Sequence, residues 1–201
     1  MIEAHAPAAL FSAAGFFARR LEAHEVPALQ ALFDANPEYF LAINGRPALP
    51  DEAQDEFLER PPASMSYTEQ QTLGFYGEEG TLQGMATVVS NLCAPGVWHL
   101  TLFLLATRWH GQGVAPAIYQ AMENWIKASG SSWLRLGVVI GNTRAERFWT
   151  RRGFVEVRRR LGVDTGGRVN DLSVRVKALA GGALDTYFAM VPRDHPESDL
   201  P

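Results

Sequence analysis

"RWHGQGVAP", residues 108–116, lies between an apolar run, "HLTLFLLA" (99–106), and a run with helical spacing, "AIYQAMENWI" (117–126). Two glycines one residue apart at a strand-to-helix junction leave the backbone bare. Such a junction offers free N–H groups and the positive end of a helix dipole, and together these attract an anion. Spacing separates the families that use this device. A P-loop needs Gly-Lys-Ser/Thr at its end, and the first lysine after Gly113 is Lys127. A dinucleotide fingerprint needs a third glycine where Pro116 stands. A plain turn that requires positive φ is the remaining alternative.

Outward from the turn, the pattern is that of a mixed α/β chain. "FFARRL" (16–21) reads as a first strand, and "HEVPALQALFDA" (24–35) as a helix with Val26, Leu29, Leu32 and Phe33 on one face. "NPEYF" (36–40) interrupts it, and "PDEAQDEFLER" (50–60) reads as a second helix ended by Pro61-Pro62. "QTLGFYGEEGTLQGMATVVS" (71–90) has the form of a hairpin, and "GVWHLTLFLLA" (96–106) follows as a third long strand. Val114, Ala117, Ile118, Ala121, Met122, Trp125 and Ile126 then keep an unbroken helical stripe. Tyr119 stands one position off that stripe. "SWLRLGVVI" (132–140) reads as a buried strand. Thr143-x-x-Glu146 reads as a capping box opening another helix, which Gly153 closes. "FVEVRRRLGV" (154–163), "LSVRV" (172–176) and "LDTYFAMV" (184–191) read as strands, the last closing the fold. The expectation is one mixed α/β layer structure over residues 1–191, followed by a loose tail, 192–201, with nothing to bury.

The totals narrow the function class. The 201 residues are 47% hydrophobic and 20% charged, ample for a core. A net charge of -4 argues against a nucleic-acid partner. Cys93 is the single cysteine, so no internal disulfide or thiolate zinc site forms, and no metal is expected. "APAALFSAAGFFARR" (6–20) imitates a signal core, but Glu3 and His5 precede it in place of a positive region. No window is long enough to span a membrane. A cytoplasmic location is expected.

Arg108-x-x-Gly111-x-Gly113 closely resembles the acetyl-CoA turn of the GCN5-related N-acetyltransferases. Asn142-x-x-Ala145-x-x-Phe148-Trp149-x-x-x-Gly153-Phe154 resembles that family's second cofactor segment, at the expected separation of one helix and one strand. The resemblance covers roughly residues 16 to 190 and is strongest from Trp98 to Val157. It implies a central, mostly antiparallel, splayed β-sheet flanked by helices, and acetyl-CoA (coenzyme A) as the cofactor. Amides of Gly111, Gln112, Gly113, Val114 and Ala115 would bind the pyrophosphate, with Arg108 at the turn. Backbone groups of Phe103, Leu104 and Leu105 would pair with the pantetheine arm. Asn142 would contact the cofactor, since Thr143 supplies the cap, and Ala145, Phe148 and Trp149 would wall the thiol end. Seven arginines against two acids between Asn142 and Arg160 suit a phosphate-bearing guest.

The implied reaction is acetyl transfer to a primary amine of an unidentified small molecule or peptide. The acceptor ammonium must lose a proton, and His99, on the strand "LTLFLL" follows from, is the candidate base. By alternation it shares a face with Thr101 and Phe103. Trp149 stands where the family commonly has an acidic tyrosine, which leaves the general acid unassigned. Glu38 and Tyr39 are the candidate acceptor wall. Residues 1–60 carry ten acids and four arginines, which suits a cationic amine such as a polyamine, an aminoglycoside or a basic peptide end. The alternative is a CoA-binding module that has lost transfer. "RVNDLSVRVKALAGG" (168–182) is a candidate contact for a homodimer.

Overall fold

The computed structural model describes residues 8–165 and 167–200. Glu3 and His5, on which the reading of the N-terminus turned, lie outside the described residues. Eight strands form one sheet: β1 (Phe11–Ala13), β2 (Phe16–Arg20), β3 (Glu69–Tyr76), β4 (Leu82–Ser90), β5 (Val97–Leu105), β6 (Trp133–Val139), β7 (Val155–Asp164) and β8 (Val169–Ala178). Their order is β1-β2-β3-β4-β5-β6-β8-β7, and β5–β6 is the parallel pair. The helices are α1 (Val26–Asp34), α2 (Pro37–Asn44), α3 (Glu52–Leu58), α4 (Val114–Ala128), α5 (Thr143–Arg151) and α6 (Leu184–Met190). A parallel pair needs a crossover, and α4 supplies it.

The apolar stripe of α4 buries Ile118, Met122 and Ile126 with Leu134, Leu136 and Val138 of β6 and Trp149 of α5. Tyr119 is buried there too, its ring 5.3 Å from that of Trp149. The opposite face carries two separate cores. Leu29, Phe33, Phe40 and Ala53 of α1–α3 pack with Leu102 and Leu104 of β5. Tyr187 of α6 packs with Val97, Trp133, Val174 and Val176. The space between these two cores lies over the middle of β5 and β6.

The interruption expected at "NPEYF" is present, since α1 ends at Asp34 and Asn36 is not helical; Pro37 then begins a further helix, α2, where its missing N–H is one that no helix satisfies. Three expectations are corrected. "LDTYFAMV" is a helix, α6, because Leu184, Tyr187, Phe188 and Val191 follow helical spacing, with Tyr187 and Val191 turned inward. The 192–201 segment does have something to bury: Asp194 is 0% exposed, in a 3-10 turn over Pro192–Asp194. Finally, alternation along β5 breaks at a bulge, where β4 shifts register between Thr87 and Val88. Thr101 is the extra residue, so Leu100 faces α4 whereas Leu102 faces α1–α3. His99 and Phe103 consequently lie on opposite faces.

Candidate functional site

The bulge has a second effect. β5 and β6 pair only from Val97/Trp133 to Leu100/Leu136. Beyond that row the strands part, while β5 stays bonded to β4 as far as Leu105 and β6 to β8 as far as Val139. The parted strands open one cleft of about 1540 Å³ that reaches both faces of the sheet. Free strand edges in such a gap can accept an extended ligand as an added strand.

At the open end, Gly111 and Gly113 take φ of 77° and 79°, and a Cβ on either would meet nothing within 4 Å. These glycines serve the left-handed backbone and leave clear space above the turn. Gly113 caps α4, whose first-turn amides have no acceptor within the helix. Phe103, Leu104, Leu105, Gly111, Gly113, Ala115, Asn142, Ala145, Phe148 and Trp149 all line the cleft. Arg108, Gln112 and Val114 lie off its lining. Arg108 Nη2 donates to Gln83 Oε1, Gln112 Nε2 donates to the Arg108 carbonyl at 2.6 Å, and Val114 is buried in the α4 core. His110, not singled out by sequence, also lines the cleft: its Nε2 meets the Leu105 carbonyl at 2.8 Å and its Nδ1 is buried without a partner among the described residues.

The cap of α5 is Asn142, not Thr143, because Asn142 Oδ1 accepts from the Ala145 amide at 3.2 Å. One oxygen lone pair of Asn142 is thereby engaged, and its amide N–H₂ stays available. Trp149 is 8% exposed and packs edge-on against Phe148 at 4.8 Å and Phe103 at 5.9 Å. The neighbouring phenol does not replace the absent tyrosine, since Tyr119 donates to Glu123, which also pairs with Lys177 at 2.5 Å.

On the other face, His99 sits over Arg135, its register partner on β6. Arg135 Nη1 lies 3.3 Å from His99 Nδ1. A guanidinium only donates, so Nδ1 is the acceptor and the neutral ring carries its proton on Nε2. Burial, and then the Arg135 charge, push the ring down to about 3. Arg135 itself makes two bonds to Asp194, Nε to Oδ2 at 2.7 Å and Nη2 to Oδ1 at 3.0 Å. Tyr187 OH adds a third, to Oδ2 at 2.6 Å. Burial opposes the Asp194 charge, but the Arg135 bonds outweigh it and hold the carboxyl at about 2.

Glu38 lines the cleft, but not as an isolated acid. It is exposed and accepts from Thr107 Oγ1 at 2.9 Å, which ties α2 to the turn after β5. Tyr39 lines the cleft, its phenol pushed up by burial and then by Glu56 and Glu52. Glu56, on α3, is the carboxylate that sequence reading missed. It lines the cleft, accepts from Thr87 Oγ1 at 2.7 Å, and is pushed up to about 7 by burial and then by Glu59 and Glu52. No motif marks it, because its position depends on how α3 packs across β4.

No described helix is long and apolar enough to cross a membrane. No curated protein matches the chain in sequence. Among solved structures, the spermidine N-acetyltransferase of Vibrio cholerae, in complex with CoA and spermine, is similar at a TM-score of 0.63 and 14% identity, over 83% of this chain and 96% of that one. An acetyltransferase of Thermus thermophilus is similar at 0.62 and 22% identity, over 82% and 97%. A GCN5-related N-acetyltransferase of Kribbella flavida is similar at 0.58 and 25% identity, over 82% and 98%. The profile of the Acetyltransferase (GNAT) family matches residues 29–154, which include the glycine turn, the parted strands and α5. The chain belongs to the GNAT acetyltransferase family.

Proposed function

We propose that this protein is an acetyl-CoA-dependent N-acetyltransferase acting on a primary amine. The observation that carries the reading is the parting of β5 from β6 beyond Leu100 and Leu136, directly below a glycine turn that opens α4. The fit is physical. The first-turn amides of α4 suit a pyrophosphate, the free edge of β5 at Phe103–Leu105 suits an amide-bearing arm, and apolar Ala145, Phe148 and Trp149 suit a thioester end. The spermidine enzyme of Vibrio cholerae, a complex with CoA, supports that choice of cofactor. When bound, acetyl-CoA supplies an acetyl group activated as a thioester.

The chain's own part is to orient the amine and remove its proton. Glu56 takes that role in place of His99. The His99 Nδ1 lone pair faces Arg135 and its Nε2 carries the remaining hydrogen, so the ring has no basic nitrogen to offer the cleft. A carboxylate held at about 7 is matched to proton transfer near neutral pH. Thr87 fixes its orientation, and Tyr39 stands beside it as part of the acceptor wall. A developing oxyanion would be stabilised by main-chain N–H groups near Phe103–Leu105. Cys93 is a free thiol, in keeping with a reducing cytoplasm.

A non-catalytic CoA-binding module is the second reading, and the tryptophan at 149 is the feature that favours it. The test is release of free thiol from acetyl-CoA across a panel of polyamines, amino acids and lysine peptides. Amine-dependent release that falls at least about a hundredfold in Glu56→Gln supports the transferase, consistent with what a general base contributes. Tight acetyl-CoA binding with no release on any amine supports the module.

A further inference from the structure

Across the acceptor half of the cleft from Glu56 stands a wall in which positive charge outnumbers negative. Arg135 on β6, Arg160 on β7 and Arg193 after α6 all line the cleft, and Asp194 is the carboxylate at their centre. Its oxygens are already taken by Arg135 and Tyr187. Arg160 Nη2 stands 3.6 Å from Asp194 Oδ1, an ion-pair distance outside hydrogen-bond range. Among the described residues it makes one hydrogen bond, a long one of 3.4 Å to the Arg193 carbonyl. Arg193 Nη1 points to Cys93 Sγ at 3.8 Å. The Nε atoms of Arg160 and of Arg193 are both buried with no partner among the described residues.

Buried polar groups in folded proteins are paired, and an unpaired buried guanidinium N–H is costly. Arg152 Nε, at the end of α5, is a third such atom in the cleft; the two that share the α6 face, in a cluster of three cations around one carboxylate, point to an anion that comes with a ligand. Burial, Arg193 and Arg135 each act on the Arg160 charge more strongly than Asp194 does, and all three oppose it. The cofactor does not account for this anion. The cluster gathers on the α6 face around Asp194, which Arg135 holds from a row where β5 and β6 are still paired; Arg160 reaches back to it from the row of Val139, and the glycine turn opens α4, which packs on the opposite face. The ligand that enters from the α6 face is the acceptor.

We propose that the acceptor is an amine that also carries an anionic group, a carboxylate or a phosphonate, and that Arg160 and Arg193 receive that group. The Arg135–Asp194 pair positions them, and Glu56 faces the amine from the opposite wall. Such a substrate is a zwitterion, and each wall of the cleft answers one of its charges. This narrows the acid-only reading of the N-terminal half, which suited a purely cationic amine. The proposal rests on the acetyltransferase reading for the identity of the amine, but not for the anion subsite itself.

The test has a binding arm and a transfer arm. Calorimetry on the full chain, with CoA present, compares α-amino acids, their α-carboxamides and aminoalkylphosphonates. Thiol release then gives kcat/KM for the same panel. The variants are Arg160→Gln and Arg160→Lys, with Arg159→Gln, an exposed residue paired with Glu156, as control. The expected result is preference for an acid or phosphonate over the matched carboxamide, lost by roughly 10- to 150-fold in R160Q, as befits a charged hydrogen bond. R160Q leaves the carboxamide unchanged, R160K restores part of the preference, and R159Q restores nothing because it loses nothing. Whether the acid or the phosphonate is preferred identifies the anionic group. Carboxamides handled as well as the acids, equal losses on both in R160Q, or no binding of any acid or phosphonate at about 10 mM, a cut-off chosen beyond a weak millimolar Kd, overturns the proposal. Acids that bind through Arg160 without being acetylated uphold the subsite and refute the transferase.

Discussion

Glu56→Gln removes a carboxylate whose proton the fold holds more tightly than the unfolded chain does. Burial, Glu59 and Glu52 push it up from an ordinary 4.5 to about 7, even though Thr87 donates to the ionised form. Below about pH 4.5 both states are protonated and the group has no effect on relative stability. Between pH 4.5 and 7 the unfolded chain has released the proton and the folded chain has not. Stability therefore declines by about 1.4 kcal/mol per pH unit, or ~3 kcal/mol in all. Above about pH 7 the loss is complete and constant. Glutamine has the same shape, still accepts from Thr87, and does not titrate. Urea unfolding at intervals from pH 4 to 9 should show the two proteins diverging as pH rises, with the variant the more stable by ~3 kcal/mol at pH 8. For a domain of this size that is roughly 6–12 °C in Tm. The same titration governs the reaction, so kcat/KM of the wild type should rise with pH through a midpoint near 7. Parallel stability curves for the two proteins would refute both the burial of this carboxylate and its use as a base.

Three further outcomes follow from particular contacts. Asp194→Ala leaves Arg135 buried without its carboxylate, so stability should fall by about 3–5 kcal/mol, read by urea unfolding at pH 7. Thr87→Val removes the hydrogen bond that favours the ionised Glu56, and the midpoint of the rate profile should move to higher pH. Asn142→Ala removes the cap of α5 and should cost about 1 kcal/mol, measured as a Tm lowered by roughly 2–4 °C. If acetyl-CoA affinity falls as well, calorimetry assigns Asn142 a direct contact in addition to the cap.

Local pattern made much of the fold legible. The stripe from Val114 to Ile126, the glycines that bound α4 and the hairpin over residues 71–90 are all encoded within a few turns of chain, and the structure keeps them. Local pattern falls short where tertiary packing decides. A run such as "LDTYFAMV" fits either period, and only the pocket between β6 and β8 that receives Tyr187 selects the helix. Nothing local announces that Asp194, in a polar tail, meets Arg135 from 59 residues earlier. The bulge at Thr101 is equally silent, although it moves Phe103 to the face opposite His99 and parts the strands. The site divides in the same way. Its cofactor half lies in two contiguous segments and resembles a known pattern, whereas its acceptor half is assembled from α3, β6, β7 and the tail. Glu56, Arg160 and Arg193 share no motif, so only their meeting in one cleft identifies them.

Thermal unfolding with and without acetyl-CoA, with NAD and ATP as controls, tests the central claim most directly. A ligand at a hundredfold excess over its Kd adds ~2.7 kcal/mol, which here is roughly 5–10 °C. The account predicts a shift of that size with acetyl-CoA and none with NAD or ATP. It also predicts that Gly113→Glu abolishes the shift, read within the variant so that its own backbone strain cancels. No shift at millimolar acetyl-CoA, or an equal shift in Gly113→Glu, would contradict the assignment of the glycine turn and the parted strands to that cofactor.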